Sequence, residues 1–593
     1  MRLTGIISSL ATAMLVGACN NGGGDSTRDR QIDPPASPSV SVSANTKQLL
    51  FGWNSVAGAT YYRLLENPDG HSGFTQSGGD IPAGMLSITK NIAVHLHDWS
   101  NALYIVQACN SAGCTGSTES SVTEMVQDSI GYLKASNAEE GDSFGTVALS
   151  GDGMTLAVGA WREDGGATGV NGDEGDNSIQ GSGAVYVFTF NGTTWSQDSY
   201  IKALNPDTND HFGYSVDLSD DGKTLAVGSY REDSSATEMD GDRDDNSAED
   251  SGAAYVFQFD GATWEQMAYI KASNTEAGDH FGGSMALSGD GTTLAIGAIG
   301  EDSAAKGLNG DQSGNGLEDH GAVYILRRDG TTWSQQEYIK DNTDRDNCGG
   351  GNQTPHYLPL RFGLDIDLNY DGNILIVGDG CMSFDEWGAA QVYQFDGESW
   401  NYDALLNRGG WKFGTSVAIN ADGNTLAVGA PGRSIWQFEN GEVTVYRRGE
   451  SSWARQTVIH HIDDEGGDES EAGQNFGVAL ELSADGDTLA VGVKYEDSMA
   501  TGINGDRTTT STNSTGAVYV YQFDGTGWIE LTYVKASNTD EGDYFGGRLG
   551  SVALSADGST LAVGAHQEDS AAIGINGDQS DNSADESGAV YVY

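Results

Sequence analysis

Two kinds of hydrophobic pattern divide the chain. Residues 36–127 alternate apolar and polar positions, as in LLFGWNSVAG and ALYIVQACNS, and turn residues separate the alternating runs. Such alternation is typical of half-buried β-strands. From residue 144 onward, short and almost continuous apolar runs such as TLAVGA recur, each bounded by Gly, Asp or Asn. Runs of this kind predict strands that are buried on both faces.

The continuous runs belong to a repeating unit. Phe-Gly pairs begin at residues 144, 212, 281, 362, 413, 476 and 545, between 51 and 81 residues apart. A typical unit contains four predicted strands, SVDLS, TLAVGS, AAYVFQF and WEQMAYIKA, joined in pairs by Asp-Gly or Asn-Gly hairpins. Four short strands at this period predict propeller blades. In the second strand, Ala157 and Gly159 are small enough to let the next blade approach.

The two ends of the repeat array complement each other. The chain ends in SGAVYVY, a predicted third strand, and SIGYLKASN before the first Phe-Gly pair is a predicted fourth strand. We expect residues 130–136 to pair with 588–593, which closes the ring and removes two exposed edges. A chain that continues beyond Tyr593 is the alternative. The predicted fold is all-β: a seven-bladed propeller of four-stranded blades over 128–593, after a small β-sandwich over 36–127.

The repeated units resemble FG-GAP repeats, the blades of the integrin α-subunit propeller and of many bacterial surface proteins. Gly429-Ala430-Pro431 retains the Pro of the repeat's name. The resemblance implies the propeller fold and, for function, only a broad class. Integrin blades place calcium in a DxDxDG hairpin, whereas the corresponding hairpins here are SGDG or SADG, with too few carboxylates. The integrin calcium positions therefore do not transfer.

The N-terminus carries an export signal. The segment MRLTGIISSLATAMLVGAC has a basic residue, an apolar run and small residues before a Cys. Its last four residues resemble a bacterial lipobox, which implies a signal peptide over 1–19 that ends at a lipidated Cys19, followed by a flexible tether over 20–35. Asn20 resembles the pattern for outer-membrane delivery, so we expect a lipid-anchored protein at the outer membrane or surface of a Gram-negative bacterium. An ordinary signal peptide cleaved elsewhere is the alternative.

The first domain resembles a fibronectin type III domain. Trp53 corresponds to the core aromatic, with Tyr61 and Tyr62 on the next strand, and residues 104–113 match the late strand and its hairpin. Export implies an oxidising compartment, in which the remaining Cys residues are disulfide candidates. The predicted pairs are Cys109–Cys114, which flank a hairpin tip, and Cys348–Cys381.

Charge narrows the choice of partners. The chain has 29 Lys+Arg against 86 Asp+Glu, for a formal net charge of −57. This field repels phosphate backbones and anionic lipids, so we expect no nucleic-acid partner, and membrane contact only through the N-terminal lipid anchor. Cations and basic patches of other proteins are favoured.

The acidic residues cluster between the second and third strands of five units. Each of these loops begins with Glu-Asp and has (Asn/Asp)-Gly-Asp at its centre. Oxygen ligands at alternate positions of a turn suit calcium, which takes six to eight oxygens. The alternative is a solvated loop whose Asn-Gly and Asp-Gly only form turns. The candidate calcium ligands are Asn171, Asp173, Asp176, Asp240, Asp242, Asp244, Asn309, Asp311, Asn504, Asp506, Asn576, Asp578 and Asp581.

Units four and five lack the Glu-Asp loops and carry aromatic and basic residues on the same face. Aromatic side chains with convergent polar groups suit a sugar or a peptide ligand. The alternative is that short loops use aromatic residues to cover the blade ends. The candidate ligand patch comprises His356, Tyr357, Arg361, Trp387, Arg408, Trp411, Lys412, Arg433 and Trp436.

The sequence contains no G-x-S-x-G, H-E-x-x-H, phosphate-loop or C-x-x-C motif. Three hypotheses follow. The first is a surface-anchored, non-catalytic binding or adhesion protein whose propeller face, ordered by calcium, engages a protein or glycan. The second is a polysaccharide-active enzyme that works at the patch of units four and five. The third is a structural or assembly component with no small ligand.

Overall fold

A computed structural model describes residues 32–593 apart from 238, 344–359, 381–387, 408–411, 433–440, 451, 461–473 and 509–513. Cys19 and the predicted signal peptide lie outside the described residues, as does the tether up to residue 31. Cys348 and Cys381 are also outside them. Within the described part of the chain, no helix has the length and hydrophobicity needed to cross a bilayer.

Two antiparallel sheets form the first domain. One has the order β1-β2-β6, and the other has β4-β3-β7-β8, with β5 also paired to β3 and β9 to β7. A 3₁₀ turn over Val94–Leu96 and the short helix α1 (Thr123–Gln127) complete it. The strands are β1 (Val40–Asn45), β2 (Gln48–Trp53), β3 (Tyr61–Asn67), β4 (Thr75–Gln76), β5 (Ile81–Pro82), β6 (Ser87–Asn91), β7 (Leu103–Asn110), β8 (Gly113–Gly116) and β9 (Ser120–Ser121).

Aromatic residues from both sheets form the core of this domain. Trp53 lies 5.3 Å from Tyr62 between ring centroids, and Phe51 lies 4.8 Å from Tyr104. All four side chains are buried. Cys109 faces Cys114 across the β7–β8 hairpin, and their sulfur atoms are bonded. The fibronectin type III assignment stays a prediction.

The remaining strands alternate with tight hairpins. The first group is β10 (Gly131–Leu133), β11 (Phe144–Leu149), β12 (Thr155–Ala160), β13 (Ala184–Phe190), β14 (Trp195–Ile201), β15 (Ser215–Leu218), β16 (Thr224–Ser229), β17 (Ala253–Phe259), β18 (Trp264–Ile270), β19 (Phe281–Leu287), β20 (Thr293–Ala298), β21 (Gly307–Leu308), β22 (Ala322–Asp329) and β23 (Thr332–Lys340). The second group is β24 (Phe362–Leu368), β25 (Ile374–Asp379), β26 (Ala389–Phe395), β27 (Trp400–Leu406), β28 (Ser416–Ile419), β29 (Thr425–Ala430), β30 (Glu442–Arg448), β31 (Trp453–His460), β32 (Phe476–Leu482), β33 (Thr488–Val493), β34 (Ala517–Phe523), β35 (Trp528–Val534), β36 (Val552–Leu554), β37 (Leu561–Ala565) and β38 (Ala589–Val592).

These strands form four-stranded antiparallel sheets, and the predicted all-β propeller fold is confirmed. The described residues contain seven such sheets, in line with the predicted number of blades. Blades 1 to 6 are β11–β14, β15–β18, β19–β23, β24–β27, β28–β31 and β32–β35, in which β21 is a short fifth strand of blade 3. Blade 7 combines β36–β38 with β10 from the start of the array. There Tyr132 pairs with Tyr591, so the two ends of the array share one sheet.

Neighbouring blades meet at a glycine in each second strand. A Cβ atom on Gly159 would lie 2.0 Å from the carbonyl oxygen of Gly213, which follows the next Phe. The equivalent distance from Gly564 to the Gly145 oxygen is 1.9 Å, so blade 7 meets blade 1 in the same way. No larger side chain fits this contact, and the recurring TLAVGA run is therefore scaffold.

Backbone hydrogen bonds close one end of the central channel. Each bond joins the end of a first strand to the same position of the next blade, at 2.9–3.2 Å. Gly151 N–H donates to Asp220 O, and the series returns when Ala556 N–H donates to Gly151 O. The intermediate members are Asp220, Gly289, Asp290, Tyr370, Ala421 and Ala484.

The first domain packs on this same end of the propeller, where the hairpins between strands one and two lie. His95 is buried, and its Nε2 lies 2.9 Å from Gly558 O in blade 7. Gln48 Nε2 donates to Gly192 O of blade 1 at 2.7 Å. The domain also runs along the outer edge of blade 6, where Gln127 Nε2 donates to Thr501 O at 3.1 Å. The opposite mouth of the channel is left free of these contacts.

Candidate functional site

The loop face is the end of the propeller that carries the connections from strand two to strand three and from strand four to the next blade. Adjacent connections bind each other through their backbones. Asn209 N–H donates to Gln180 O, and Phe212 N–H donates to Ser182 O, both at 2.9 Å. Each loop is therefore fixed by its own blade and by the next one.

A buried ion pair lies under each Glu-Asp loop. The Glu side chain pairs with a Lys at the end of strand four, and these side chains are at most 7% exposed. In blade 1, Lys202 Nζ lies 2.7 Å from Glu163 Oε2 and also donates to Ser182 Oγ. Tyr200 OH donates to the other carboxylate oxygen at 2.9 Å. The five pairs are Lys202–Glu163, Lys271–Glu232, Lys340–Glu301, Lys535–Glu496 and Lys134–Glu568.

A second carboxyl group is buried beside four of these pairs. Burial is the main cause that raises the pKa of Asp142, Asp210 and Asp543 to about 8, and that of Asp279 to about 7. The charge of the paired Glu adds to this effect. Burial also lowers the pKa of Lys202, which the adjacent Glu163 partly offsets. When this Asp is protonated, each Lys–Glu–Asp group carries one negative charge fewer than its two carboxyl groups would give.

The candidate calcium ligands of the five acidic loops form hydrogen-bonded turns. Asn171 has φ of 54°, its N–H donates to Tyr200 O, and its Oδ1 accepts from Tyr200 N–H at 2.9 Å. The same reciprocal pair joins Asp240 to Tyr269, Asn309 to Tyr338, Asn504 to Tyr533 and Asn576 to Tyr132.

The Asp two residues after each of these turn positions also accepts a hydrogen bond within its own loop. Oδ1 of this residue accepts from the N–H two residues later at 3.0–3.2 Å. The acceptors are Asp173, Asp242, Asp311, Asp506 and Asp578. Among the described residues, no three His, Cys, Asp or Glu side chains gather as a metal site requires. These contacts favour the turn interpretation, and calcium binding by these loops, with Asp176, Asp244 and Asp581, stays a prediction.

The structure describes two members of the candidate ligand patch in blades 4 and 5. Arg361 and Lys412 have φ of 53° and 55° and stand immediately before a Phe-Gly pair. Ser143, His211, His280, Asn475 and Tyr544 occupy the same left-handed position in the other blades. The other patch members lie outside the described residues: His356, Tyr357, Trp387, Arg408, Trp411, Arg433 and Trp436.

A cluster that the sequence analysis missed lies at the open mouth of the channel, on the loop face of blades 6, 7, 1, 2 and 3. Its residues stand before or just after a Phe-Gly pair, or just after strand two. The strands that leave this cluster line the channel from Val147, Val216 and Leu549 onward. The aromatic–basic cluster comprises Trp161, His211, Tyr214, Tyr230, His280, Lys494, Tyr544, Arg548 and His566.

Aromatic contacts run continuously through this cluster. The centroids of Tyr214 and Tyr230 are 4.1 Å apart, and Trp161 lies 5.8 Å from Tyr214. The guanidinium of Arg548 lies 4.3 Å from the Tyr214 centroid and 5.4 Å from that of Trp161. Lys494 Nζ lies 4.7 Å from the Tyr544 ring. The rings therefore form a platform with Arg548 and Lys494 set into it. Arg162 and Arg231 also stack on its Trp161 and Tyr230 rings, and these two cations are paired with Glu586 and Asp250.

Several polar atoms of the cluster have no partner. Trp161 Nε1, His211 Nδ1 and His566 Nδ1 are buried and make no hydrogen bond to any described residue. Burial and the neighbouring Arg residues lower the pKa of both His side chains to about 3, so both are neutral at physiological pH. Buried polar atoms are nearly always paired in folded proteins, so these three are available to a water molecule or a ligand at this mouth.

Four carboxyl groups lie deeper in the channel, on otherwise apolar first strands. They are Asp217, Asp365, Asp367 and Glu481. Burial raises the pKa of Asp217 and Asp365 to about 7. It also raises the pKa of Asp367 and Glu481, which the negative charges of the other members raise further. Backbone N–H groups of the next blade's first strand donate to three of them, for example Ile419 to Asp367 at 2.7 Å.

Comparison with protein-family models identifies the repeat. Residues 195–257 and 264–326 match the FG-GAP repeat model. The chain carries FG-GAP repeats. Each matched segment begins at the Trp of a fourth strand and ends in the third strand of the next blade, so the sequence repeat spans two neighbouring sheets. A comparison with curated protein sequences finds no match.

Several solved structures are similar in shape at low sequence identity. Kuenenia stuttgartiensis hydrazine synthase is 13% identical with a TM-score of 0.40, over 71% of this chain and 92% of that one. The β-propeller domain of the trilobed protease from Pyrococcus furiosus is 9% identical with a TM-score of 0.33, over 71% and 90%. Pyrococcus horikoshii acylaminoacyl peptidase is 11% identical with a TM-score of 0.34, over 74% and 51%. Likenesses at this level carry no argument about the function of this chain.

Proposed function

We propose that the protein is a non-catalytic binding protein, anchored at the bacterial surface through a lipidated Cys19, whose loop face engages a protein or glycan. The observation that carries this proposal is the aromatic–basic cluster at the channel mouth, with its three unpartnered polar atoms. Tyr, Trp and Arg are the side chains that most often anchor binding interfaces. The first domain contacts the opposite end of the propeller and the outer edge of blade 6, so it acts as a spacer that leaves the channel mouth on the loop face toward the surroundings.

The five buried ion pairs support the same proposal. They fix the loops around the cluster to their blades, so the face is preorganised, and less conformational entropy is lost when a ligand binds. No metal takes part in this proposal, because its ligand contacts are aromatic rings, cations and neutral donors.

The test is a binding screen of the full chain on arrays of glycans and of extracellular proteins. A variant with Trp161→Ala and Tyr214→Ala removes part of the cluster. Tyr370→Ala is the matched control, because Tyr370 is exposed at the opposite end of the channel. We expect the cluster variant to lose a ligand that the wild type and the control retain. Equal binding by all three proteins, or no ligand for any of them, would overturn the proposal.

The same samples test the alternative of a polysaccharide-active enzyme. Cleavage of an array-positive glycan, followed as new reducing ends, would assign catalysis to this protein. The channel carboxyl groups Asp217, Asp365, Asp367 and Glu481 would then be the first candidates, because their pKa values are raised.

A further inference from the structure

We infer that the aromatic–basic cluster binds the terminal uronic acid of a glycan, with its carboxylate at Arg548 and Lys494 and its sugar ring on the Trp161–Tyr214 platform. This inference rests on the proposed function and names the chemistry of the ligand. It places an anion at the centre of a strongly acidic protein, which requires cations that the acidic residues leave unpaired.

Arg548 and Lys494 are cations that lack a carboxylate partner. The chain has almost three acidic residues for each basic one, and most of its described cations pair with an acid. Arg548 donates to neutral oxygens only, Thr146 Oγ1 at 2.6 Å and Tyr214 O at 3.4 Å. Lys494 contacts the rings of Tyr495 and Tyr544. Within the described residues neither side chain forms an ion pair.

The two cations also repel each other. Burial lowers the pKa of Lys494, and the charge of Arg548 lowers it further. A carboxylate between them would remove this repulsion and would accept charge-assisted hydrogen bonds from both side chains. An anion is therefore the charge type that this mouth favours.

The surroundings of the two cations fit a sugar ring. Trp161, Tyr214 and Tyr230 are in contact, with the Trp161 and Tyr214 rings edge-on to each other, so the C–H face of a pyranose can pack against one of these rings. Trp161 Nε1 can donate to a ring hydroxyl, and the neutral His211 and His566 can each donate or accept. An acidic peptide would use the two cations but would leave most of these neutral groups without partners.

The acidic loops limit the size of the anion. Carboxylates such as Asp173 and Asp242 lie on exposed turns at the outer edge of the loop face, beside strand four of each blade. A long polyanion that crosses the loop face would be repelled by these carboxylates. A single acidic residue at the end of a glycan can enter the channel mouth and reach the two cations without crossing them. The site therefore selects a terminal acidic sugar over a polyanion.

The experiment is calorimetric titration of the full chain with glucuronate, glucose and heparin at low salt. Glucuronate and glucose differ by one carboxylate, and heparin is the polyanion. We expect glucuronate to bind at least tenfold more tightly than glucose, and we expect its affinity to fall as salt rises. Heparin should bind no more tightly per site than glucuronate. Equal affinity for glucuronate and glucose, or tighter binding of heparin, would overturn the inference.

The variants are Arg548→Gln and Lys494→Gln, which remove one positive charge each. Each should weaken glucuronate binding about tenfold and leave glucose binding unchanged. Lys494→Gln keeps the test valid if Arg548→Gln unfolds, because the Lys494 side chain contacts two rings and forms no ion pair within the described residues. Arg447→Gln is the matched control, since Arg447 also stacks on a ring and lies near the end of β30 in blade 5, paired with Asp487.

The outcomes separate this inference from the proposed function. A cluster-dependent ligand on the array together with no glucuronate binding would overturn the inference alone. A glutamate-rich peptide that binds the cluster more tightly than glucuronate would do the same and would assign a protein partner. Glucuronate binding that survives both Gln variants would show that the sugar binds elsewhere, which also contradicts the inference.

Discussion

Lys202 Nζ lies 2.7 Å from Glu163 Oε2, and the two side chains are 0% and 1% exposed. The residues are 39 positions apart, at the end of strand four and at the start of the acidic loop of the same blade. The same separation joins Lys271 to Glu232, Lys340 to Glu301 and Lys535 to Glu496. This contact ties the start of the acidic loop to the end of strand four in the same blade. It explains why these loops hold a fixed conformation.

Loss of one partner of this pair is expected to destabilise the protein strongly. Glu163→Gln leaves the buried Lys202 ammonium without its carboxylate partner. Lys202→Met leaves the buried Glu163 carboxylate without its ammonium partner. Removal of one partner of a buried ion pair typically costs about 3–5 kcal/mol. The denaturant midpoint of each single variant should fall accordingly. Midpoints equal to that of the wild type would contradict this assignment.

The double variant Glu163→Leu with Lys202→Met is the control for burial of a lone charge. It removes both charges, so its midpoint should recover most of the loss seen in the single variants. Arg63→Gln is a second control, because its ion pair with Asp80 is partly exposed in the first domain. Because solvent screens exposed pairs, this variant should leave the denaturant midpoint nearly unchanged.

Gly159→Ala is expected to separate blades 1 and 2. The new Cβ would lie 2.0 Å from Gly213 O, so the blades must move apart or the strand must shift. We expect a loss of about 3 kcal/mol or more in unfolding free energy, at the upper end of overpacking effects. Gly527→Ala is the matched control, since no atom lies within 4 Å of its Cβ position. Equal midpoints for the two variants would contradict the packing argument.

The pattern of hydrophobic positions was sufficient to predict the propeller. Strand two of blade 2 was predicted as TLAVGS and lies at Thr224–Ser229, and strand three was predicted as AAYVFQF and lies at Ala253–Phe259. These strands are buried on both faces, so their apolar runs are continuous and their ends are marked by hairpin residues. The predicted fourth strand was too long, because WEQMAYIKA includes Lys271, which lies beyond the end of β18.

The site was predicted less well, because its contacts join distant parts of the chain. A Lys after a strand and a Glu-Asp loop are each expected to be solvated, so their pairing needs the tertiary structure. The fixed spacing of 39 residues was the available signal. The aromatic–basic cluster was missed because its members are single residues next to each Phe-Gly pair or after strand two, as in HFGY, YFGGR and GAWR. The loops of blades 4 and 5 differ most from the repeat, so the candidate ligand patch was predicted there.

Stability is expected to increase when the pH falls from about 8.5 to 6.5. Asp142, Asp210 and Asp543 have folded pKa values of about 8, and Asp217 and Asp365 of about 7. Their unfolded values are about 3.9, so the folded state binds more protons in this range and gains stability on acidification. Lys47 has a folded pKa of about 8 and acts in the opposite direction at the upper end of this range, but it is outnumbered by the carboxyl groups. His95, His211 and His566 have folded values of about 3 and also oppose the effect, chiefly near and below their unfolded pKa of about 6.5.

Denaturant midpoints at pH 8.5, 7.5 and 6.5 measure this slope, for which one proton contributes about 1.4 kcal/mol per pH unit. The variant with Asp217→Asn and Asp365→Asn should be more stable at pH 8.5 and should show a shallower slope. Asp371→Asn is the control, because Asp371 is exposed in a hairpin. A denaturant midpoint that decreases as the pH is lowered from 8.5 to 6.5 would contradict the raised pKa values.

Calcium is expected to leave the melting midpoint of the full chain unchanged. In each acidic loop, the Asn or Asp at the turn already accepts a backbone N–H from strand four, as Asn171 does from Tyr200. A site with a dissociation constant of about 1 μM would instead add about 4 kcal/mol at about 1 mM calcium. Melting curves with calcium and with a chelator distinguish these cases. A rise of that size that is lost when Asp240 and Asp242 are both changed to Ala, but kept in Asp371→Ala, would establish calcium binding by the loops.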